Sequence, residues 1–224
     1  MKITFIILIA SLVTAGSGFP QGFINLNFES AVIKLDTSSV YYPYAVVASN
    51  AIPGWNAYGY LNTTPIVVPS LGYNTIALDG AAVNLETATN SFPRAIQGNY
   101  SILLQGGSQY ITYTNGVSMG QTGQIPVTAQ SLTYWGGPLT VTFNGNLIAL
   151  AAVSSTADYT VWGADISAYA GQTGQLLFTA PWQRGGFLDN IQFSSTAVPE
   201  PGTLALITLS ATWLVFRLKQ PLGK

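Results

Sequence analysis

The sequence predicts an all-β fold, an antiparallel β-sandwich of the jelly-roll type. Three observations point there. Short runs with period-two alternation recur through residues 19–197, and Gly, Pro, Asn and Ser punctuate them. No stretch in that region carries a long helical period. Alternation at period two sets one face of a strand on a core and the other in solvent.

Phe23–Phe28 alternates apolar and polar residues and reads as the first strand. Ser131–Trp135 and Leu139–Phe143 follow the same rule, and Tyr100–Leu104 reads as another strand. Leu147–Val153, Tyr159–Trp162, Gln175–Thr179 and Phe187–Phe193 read as further strands. Asn144-Gly145, between two such runs, marks a tight hairpin, because primed turns need positive φ at both central residues. Asp165–Gly171 holds room for one short helical turn. Many strands at short spacing make a sandwich or jelly roll.

The two ends read differently. Met1-Lys2, an apolar run from Ile3 to Val13 and small residues from Thr14 to Gly18 have the three-part layout of a secretory signal peptide over residues 1–18. An uncleaved anchor is the competing reading. At the other end stand Val198-Pro199-Glu200-Pro201, an uncharged run from Thr203 to Phe216, and then Arg217, Lys219 and Lys224. Proline is tolerated in a first helical turn, so the run can form a helix. At about 1.5 Å per residue it reaches only about 21 Å, short of a bilayer core of about 30 Å. Arg217 and Lys219 can snorkel and would hold the far end at the cytoplasmic face.

This end resembles the PEP-CTERM sorting tail of Gram-negative bacteria. Val198, Pro199, Glu200 and Pro201 match its motif, the apolar run matches its helix, and Arg217 and Lys219 stand for its post-helix arginine cluster, which Pro221 interrupts. The resemblance implies a membrane protease partner of the exosortase type acting at Pro-Glu-Pro. It implies transient anchoring in the inner membrane, then delivery to the cell surface or the medium, in a setting rich in exopolysaccharide. A plain C-terminal anchor is the alternative. Residues 19–197 then form the one folded domain and residues 198–224 the tail.

Composition narrows the function classes. Charged residues make up 7 % of the chain, against about 25 % in ordinary soluble proteins. Between the two ends, only the cations Lys34, Arg94 and Arg184 stand against Glu29, Asp36, Asp79, Glu86, Asp158, Asp165 and Asp189. Such a domain offers no basic patch to a phosphate backbone, so nucleic acid is not an expected partner. Cysteine and histidine are both absent. Thiol catalysis, Cys-based zinc or iron–sulfur sites and a Ser-His-Asp triad are thereby excluded.

Several fragments resemble galactose-binding-like jelly rolls, which occur in carbohydrate-binding modules: Asn27-Phe28-Glu29, Pro53-Gly54-Trp55, Asp165–Gln172 and Phe187–Ile191. The resemblance implies that the first and last strands lie close and share a structural calcium, with Glu29 and Asp189 at the matching positions. Carboxylates suit a hard cation, which takes about six to eight oxygens. The competing role for this pair is to hydrogen-bond nearby backbone. No other cofactor is expected.

Trp55, Tyr58 and Tyr60 fall in a loop-like stretch with Pro53, Gly54 and Gly59, where aromatic faces can stack on sugar rings. The alternative is that they cover the core, since large aromatics supply much core area. Trp135, Trp162 and Trp182 read as core residues. Paired acids can run glycoside hydrolysis, but no spacing singles out a pair. The expected function is a non-enzymatic surface protein with a structural or adhesive role. A carbohydrate-binding module is the alternative, and a glycoside hydrolase comes third.

Overall fold

A computed structural model describes residues 22–61, 64–77, 80–107, 116–180 and 182–198. The signal segment of residues 1–18, Pro199–Pro201, the apolar run, Arg217 and Lys219 lie outside the described residues. Among those described, no helix is long and apolar enough to cross a membrane.

Two sheets form a sandwich with almost no helix. The strands are β1 Ala45–Val47, β2 Asn56–Leu61, β3 Thr64–Val67, β4 Ser70–Tyr73, β5 Ala81–Thr87, β6 Tyr100–Gly106 and β7 Val117–Gln124. They continue with β8 Ser131–Gly136, β9 Thr140–Phe143, β10 Asn146–Ile148, β11 Ala151–Ser155, β12 Thr160–Asp165, β13 Thr173–Ala180 and β14 Gly185–Ser194. One sheet has the order β1-β4-β5-β6-β14-β8-β12-β11, and the other β10-β9-β13-β7-β2-β3. Every pair of neighbours is antiparallel except β4 with β5. One helical turn, α1 Ala48–Ala51, follows β1, and a 3-10 turn at Ser167–Tyr169 falls inside the expected Asp165–Gly171.

The core lies between the sheets, and period two puts it there. In β13, Gly174, Leu176, Phe178 and Ala180 are buried while Gln175, Leu177 and Thr179 between them are half-buried. Phe178 meets Trp55 at 6.1 Å and Tyr134 edge-on at 5.5 Å between ring centroids. Tyr134 is fully buried, and its hydroxyl donates to Gly137 O at 3.0 Å and accepts from Leu139 N at 3.1 Å. A buried phenol without partners would forfeit its hydration, so the two bonds make the position tolerable.

The Asn144-Gly145 hairpin joins β9 to β10 as its chemistry requires, with φ of 49° and 78° at the two residues. Three expectations need correction. Phe23–Phe28 is not a strand: Asn25 and Phe28 adopt positive φ, and the segment turns beside β14, where Ile191 N donates to Leu26 O at 2.9 Å. Leu147–Val153 is not one strand but the end of β10 and the start of β11, which belong to different sheets. Trp182 is 51 % exposed rather than core, while Trp135 and Trp162 are half-buried. Trp135 stacks on Tyr159 at 4.6 Å.

Candidate functional site

Two places in the sandwich gather polar chemistry. The first is the outer face of the larger sheet over β5, β6 and β14. In β5, Val83 and Leu85 face the core, so Glu86 points the other way. Glu86 pairs directly with Ser101 on β6. On the far side of β6, the register of β14 slips between Asp189 and Gln192, and Asn190 takes φ of 46°. Ahead of that slip the regular register of β14 on β6, with Leu188 opposite Ile102, sets Asp189 beside Ser101, whose Oγ donates to Asp189 Oδ2 at 2.5 Å. Asn190 N donates to Asp189 Oδ1 at 2.6 Å.

The connection of residues 88–99 folds back over this row. Ile96 N donates to Ser101 Oγ at 2.9 Å, and Ala88 N to Asn99 O at 2.9 Å. Glu29 fastens its end: Oε1 accepts from Asn99 N at 2.8 Å and Tyr100 N at 3.1 Å, and Oε2 accepts from Asn99 Nδ2 at 2.9 Å. Gly98, with φ of 62°, lies so close to Glu29 that a side chain there would strike the carboxylate. Glu86, Ser101 and Asp189 are all fully buried.

Burial governs the charge state of this row. Desolvation pushes Glu86 up to about 8, and neither of its oxygens has a hydrogen-bond partner; the Asn90 side chain and Thr75 backbone only temper the effect. Desolvation likewise raises Asp189 to about 7; the Ser101 and Asn190 bonds pull against it, while the Glu29 charge adds to it.

The structure thus brings Glu29 and Asp189 to the two sides of one strand start. It does not give them the surroundings of a calcium ion. All four carboxylate oxygens already meet donors, whereas a cation needs converging acceptors. Among the described residues, no group of three or more acids assembles anywhere. The residues do not fit the ion, and the expected pair is instead a staple that holds residues 88–100 to the sheet. Glu86 and Ser101 are the members that sequence reasoning did not single out. Asn84 and Glu86 alternate with Val83 and Leu85, the pattern of an ordinary solvent face.

The second place is the smaller sheet around β2. The expected loop of Trp55, Tyr58 and Tyr60 is for the most part a strand. Trp55 is 4 % exposed and sits in the core against Phe28 and Phe178, with Nε1 donating to Ile24 O and Asn25 O, both at 3.1 Å. It offers no face to a sugar, which corrects that assignment. Ala57 and Gly59 are buried, so Tyr58 and Tyr60 lie on the outer face, half-buried. The Tyr60 hydroxyl lies 2.8 Å from Ser118 Oγ, which lies 2.7 Å from Thr179 Oγ1. Gln175 Nε2 donates to the Tyr58 hydroxyl at 3.3 Å. This face is a row of hydroxyls and amides carried on β2, β7 and β13.

Val198 is the only residue of the sorting motif among those described. It is half-buried, and its methyl groups lie over Gly163 of β12 beside Val153. In comparison with known proteins, no family model, no curated protein and no solved structure matches this chain.

Proposed function

We propose that this protein is exported, sorted through its Pro-Glu-Pro tail and displayed at a bacterial cell surface, where its β-sandwich serves a structural or adhesive role without catalysis. On this reading the sandwich is a jelly roll of the galactose-binding-like kind. The membrane partner is an exosortase-type protease, and the environment is an exopolysaccharide layer. One observation carries the reading: a signal-peptide pattern at residues 1–18 and the Val198–Pro201 motif with its apolar run and Arg217 and Lys219 bracket one domain of very low charge. The sandwich ends at Ser194 of β14, so the motif begins as soon as the last strand is complete. The absence of histidine and cysteine removes the side chains that most often carry hydrolytic chemistry. The raised acids Glu86 and Asp189 are sealed beneath residues 88–99, away from any substrate.

A second reading, a carbohydrate-binding module, draws on the hydroxyl and amide row around Tyr58 and Tyr60. It no longer has Trp55.

The test of the first reading is intact mass of the protein recovered from envelope and medium, for wild type and Glu200→Ala. The expected wild-type species begins near residue 18 and ends near Pro201, and the variant keeps its tail through Lys224. Identical masses for the two sink the sorting reading.

A further inference from the structure

A cleft of about 770 Å³ opens where one end of each sheet parts from the other. β1, β4 and β5 wall one side, and Tyr58, Gly59 and Val68 the other. The turn of Ser39–Tyr44 forms its rim with Val40, Tyr41, Tyr42 and Tyr44.

That rim is unusual for a soluble surface. Tyr41 is 74 % exposed and Tyr44 60 %, beside a still more exposed Val40. Clustered apolar surface of this kind marks a contact site more often than chance exposure. The rim is also braced rather than loose. Ser39 N donates to Asp36 O, Tyr42 N to Ser39 O and Tyr44 N to Tyr41 O, the last at 2.8 Å. Asp36 anchors the turn: Oδ1 accepts from Ser38 N at 3.0 Å and Ser38 Oγ at 2.6 Å, while Oδ2 accepts from Ser70 of β4. Aromatic rings held out on a hydrogen-bonded frame lose little entropy on binding.

The chemistry of the wall selects the ligand. No acid or base lies among its described residues, which are aromatic, aliphatic, hydroxyl and amide. A phosphate or uronate chain would find no cation there, and the acidic excess of the domain would repel it. Among the described lining residues a metal ion would find no carboxylate. A peptide adding to β1 would find that edge covered, because Leu35 bridges Val46, Val47 N donates to Lys34 O and Asp36 N to Ala45 O. Aromatic faces together with neutral hydrogen-bonding groups match a ring that is apolar on its faces and hydroxylated at its edge. The volume falls in the range of about 300–1,000 Å³ typical of ligand sites.

We propose that this cleft binds an uncharged saccharide chain, with Tyr41 and Tyr44 as its aromatic contacts. The inference deepens the carbohydrate-binding reading by moving the site from the face around Tyr58 and Tyr60 to the tyrosine rim and by fixing the ligand as neutral.

The test uses the full chain in a detergent without sugar headgroups, titrated with soluble glucan, mannan and galactan and, as the anionic counterpart, alginate. Binding of at least one neutral polymer is expected, with alginate at least tenfold weaker. The double variant Tyr41→Ala/Tyr44→Ala should lose at least tenfold in affinity at an unchanged melting temperature, and Tyr41→Phe/Tyr44→Phe should retain most of it. No binding to any neutral polymer overturns the carbohydrate-binding reading as a whole. Binding that the double alanine variant leaves intact overturns this site alone. Preferential binding of alginate overturns the assignment of a neutral ligand. The surface-sorting reading stands or falls separately, on the intact mass.

Discussion

Ser101 Oγ donates to Asp189 Oδ2 at 2.5 Å, and on the opposite side of the same strand Ser101 pairs with Glu86. Three neighbouring strands therefore carry two buried acids on either side of one hydroxyl. Sheets seldom bury acids on a face that period two assigns to solvent, and here the covering segment of residues 88–99 is the cause.

The charge state of that row makes stability fall as pH rises. Both acids have folded-state values, about 8 for Glu86 and about 7 for Asp189, far above the value of about 4 expected for an unfolded chain. At about pH 3 both states hold the protons and neither acid affects the balance. Between about pH 4 and 8 the unfolded chain releases protons that the folded protein keeps. Folding then binds protons, and unfolding becomes easier with each rise in pH. Above about pH 8 the contribution levels off. Urea unfolding across this range should show a loss on the order of several kcal/mol, taking about 1.4 kcal/mol per pH unit for each acid. Glu86→Gln removes the titrating proton but keeps the shape, so it should roughly halve the slope between about pH 5 and 7, leave little slope between about pH 7 and 8, and be more stable than wild type at pH 8. A stability that rises over this range, or an unchanged slope in the variant, contradicts the assignment.

Trp55 should behave as a core residue. Trp55→Ala should cost about 3–5 kcal/mol in urea unfolding, the usual loss for a large aromatic removed from a core. Trp55→Phe keeps most of the ring contact with Phe28 and Phe178 but leaves the Ile24 and Asn25 carbonyls without the indole donor. It should cost about 1–3 kcal/mol and leave any glycan affinity of the folded protein unchanged. A variant of normal stability with lost glycan binding would restore Trp55 to the ligand site.

These residues also show where the sequence is informative. Asn144-Gly145 specifies its hairpin because two adjacent residues of positive φ leave the backbone few other choices. β8 and β9 are legible because apolar and polar residues alternate along most of each run, whereas β13 is legible only as a β-type run, since Leu176, Leu177 and Phe178 interrupt the alternation. β7, Val-Ser-Met-Gly-Gln-Thr-Gly-Gln, is fully paired with β13 along its length yet has no β-branched or aromatic alternation, so only its neighbours make it a strand. Phe23–Phe28 alternates like a strand but is diverted by the positive φ of Asn25 and Phe28, and two of its carbonyls accept the Trp55 indole instead. Glu29 and Asp189 are legible as partners in place, since the segment before β1 does lie against β14. Their role is not, because it depends on donors at Asn99, Tyr100 and Ser101 that are distant in the chain.

The same donors decide the last prediction. A ligand that binds only the folded state raises the melting temperature with its concentration. A calcium ion at Glu29 and Asp189 would first have to displace the amide and hydroxyl hydrogens of residues 99, 100, 101 and 190 from the carboxylates. Chelation with EDTA should therefore leave the melting temperature unchanged, and millimolar calcium should not raise it. Glu29→Gln should destabilise the protein equally with and without calcium, by about 1–3 kcal/mol, because the amide turns an N–H toward donors that need an acceptor. If the cost of that variant appears only when calcium is present, the two carboxylates hold an ion and the staple is secondary.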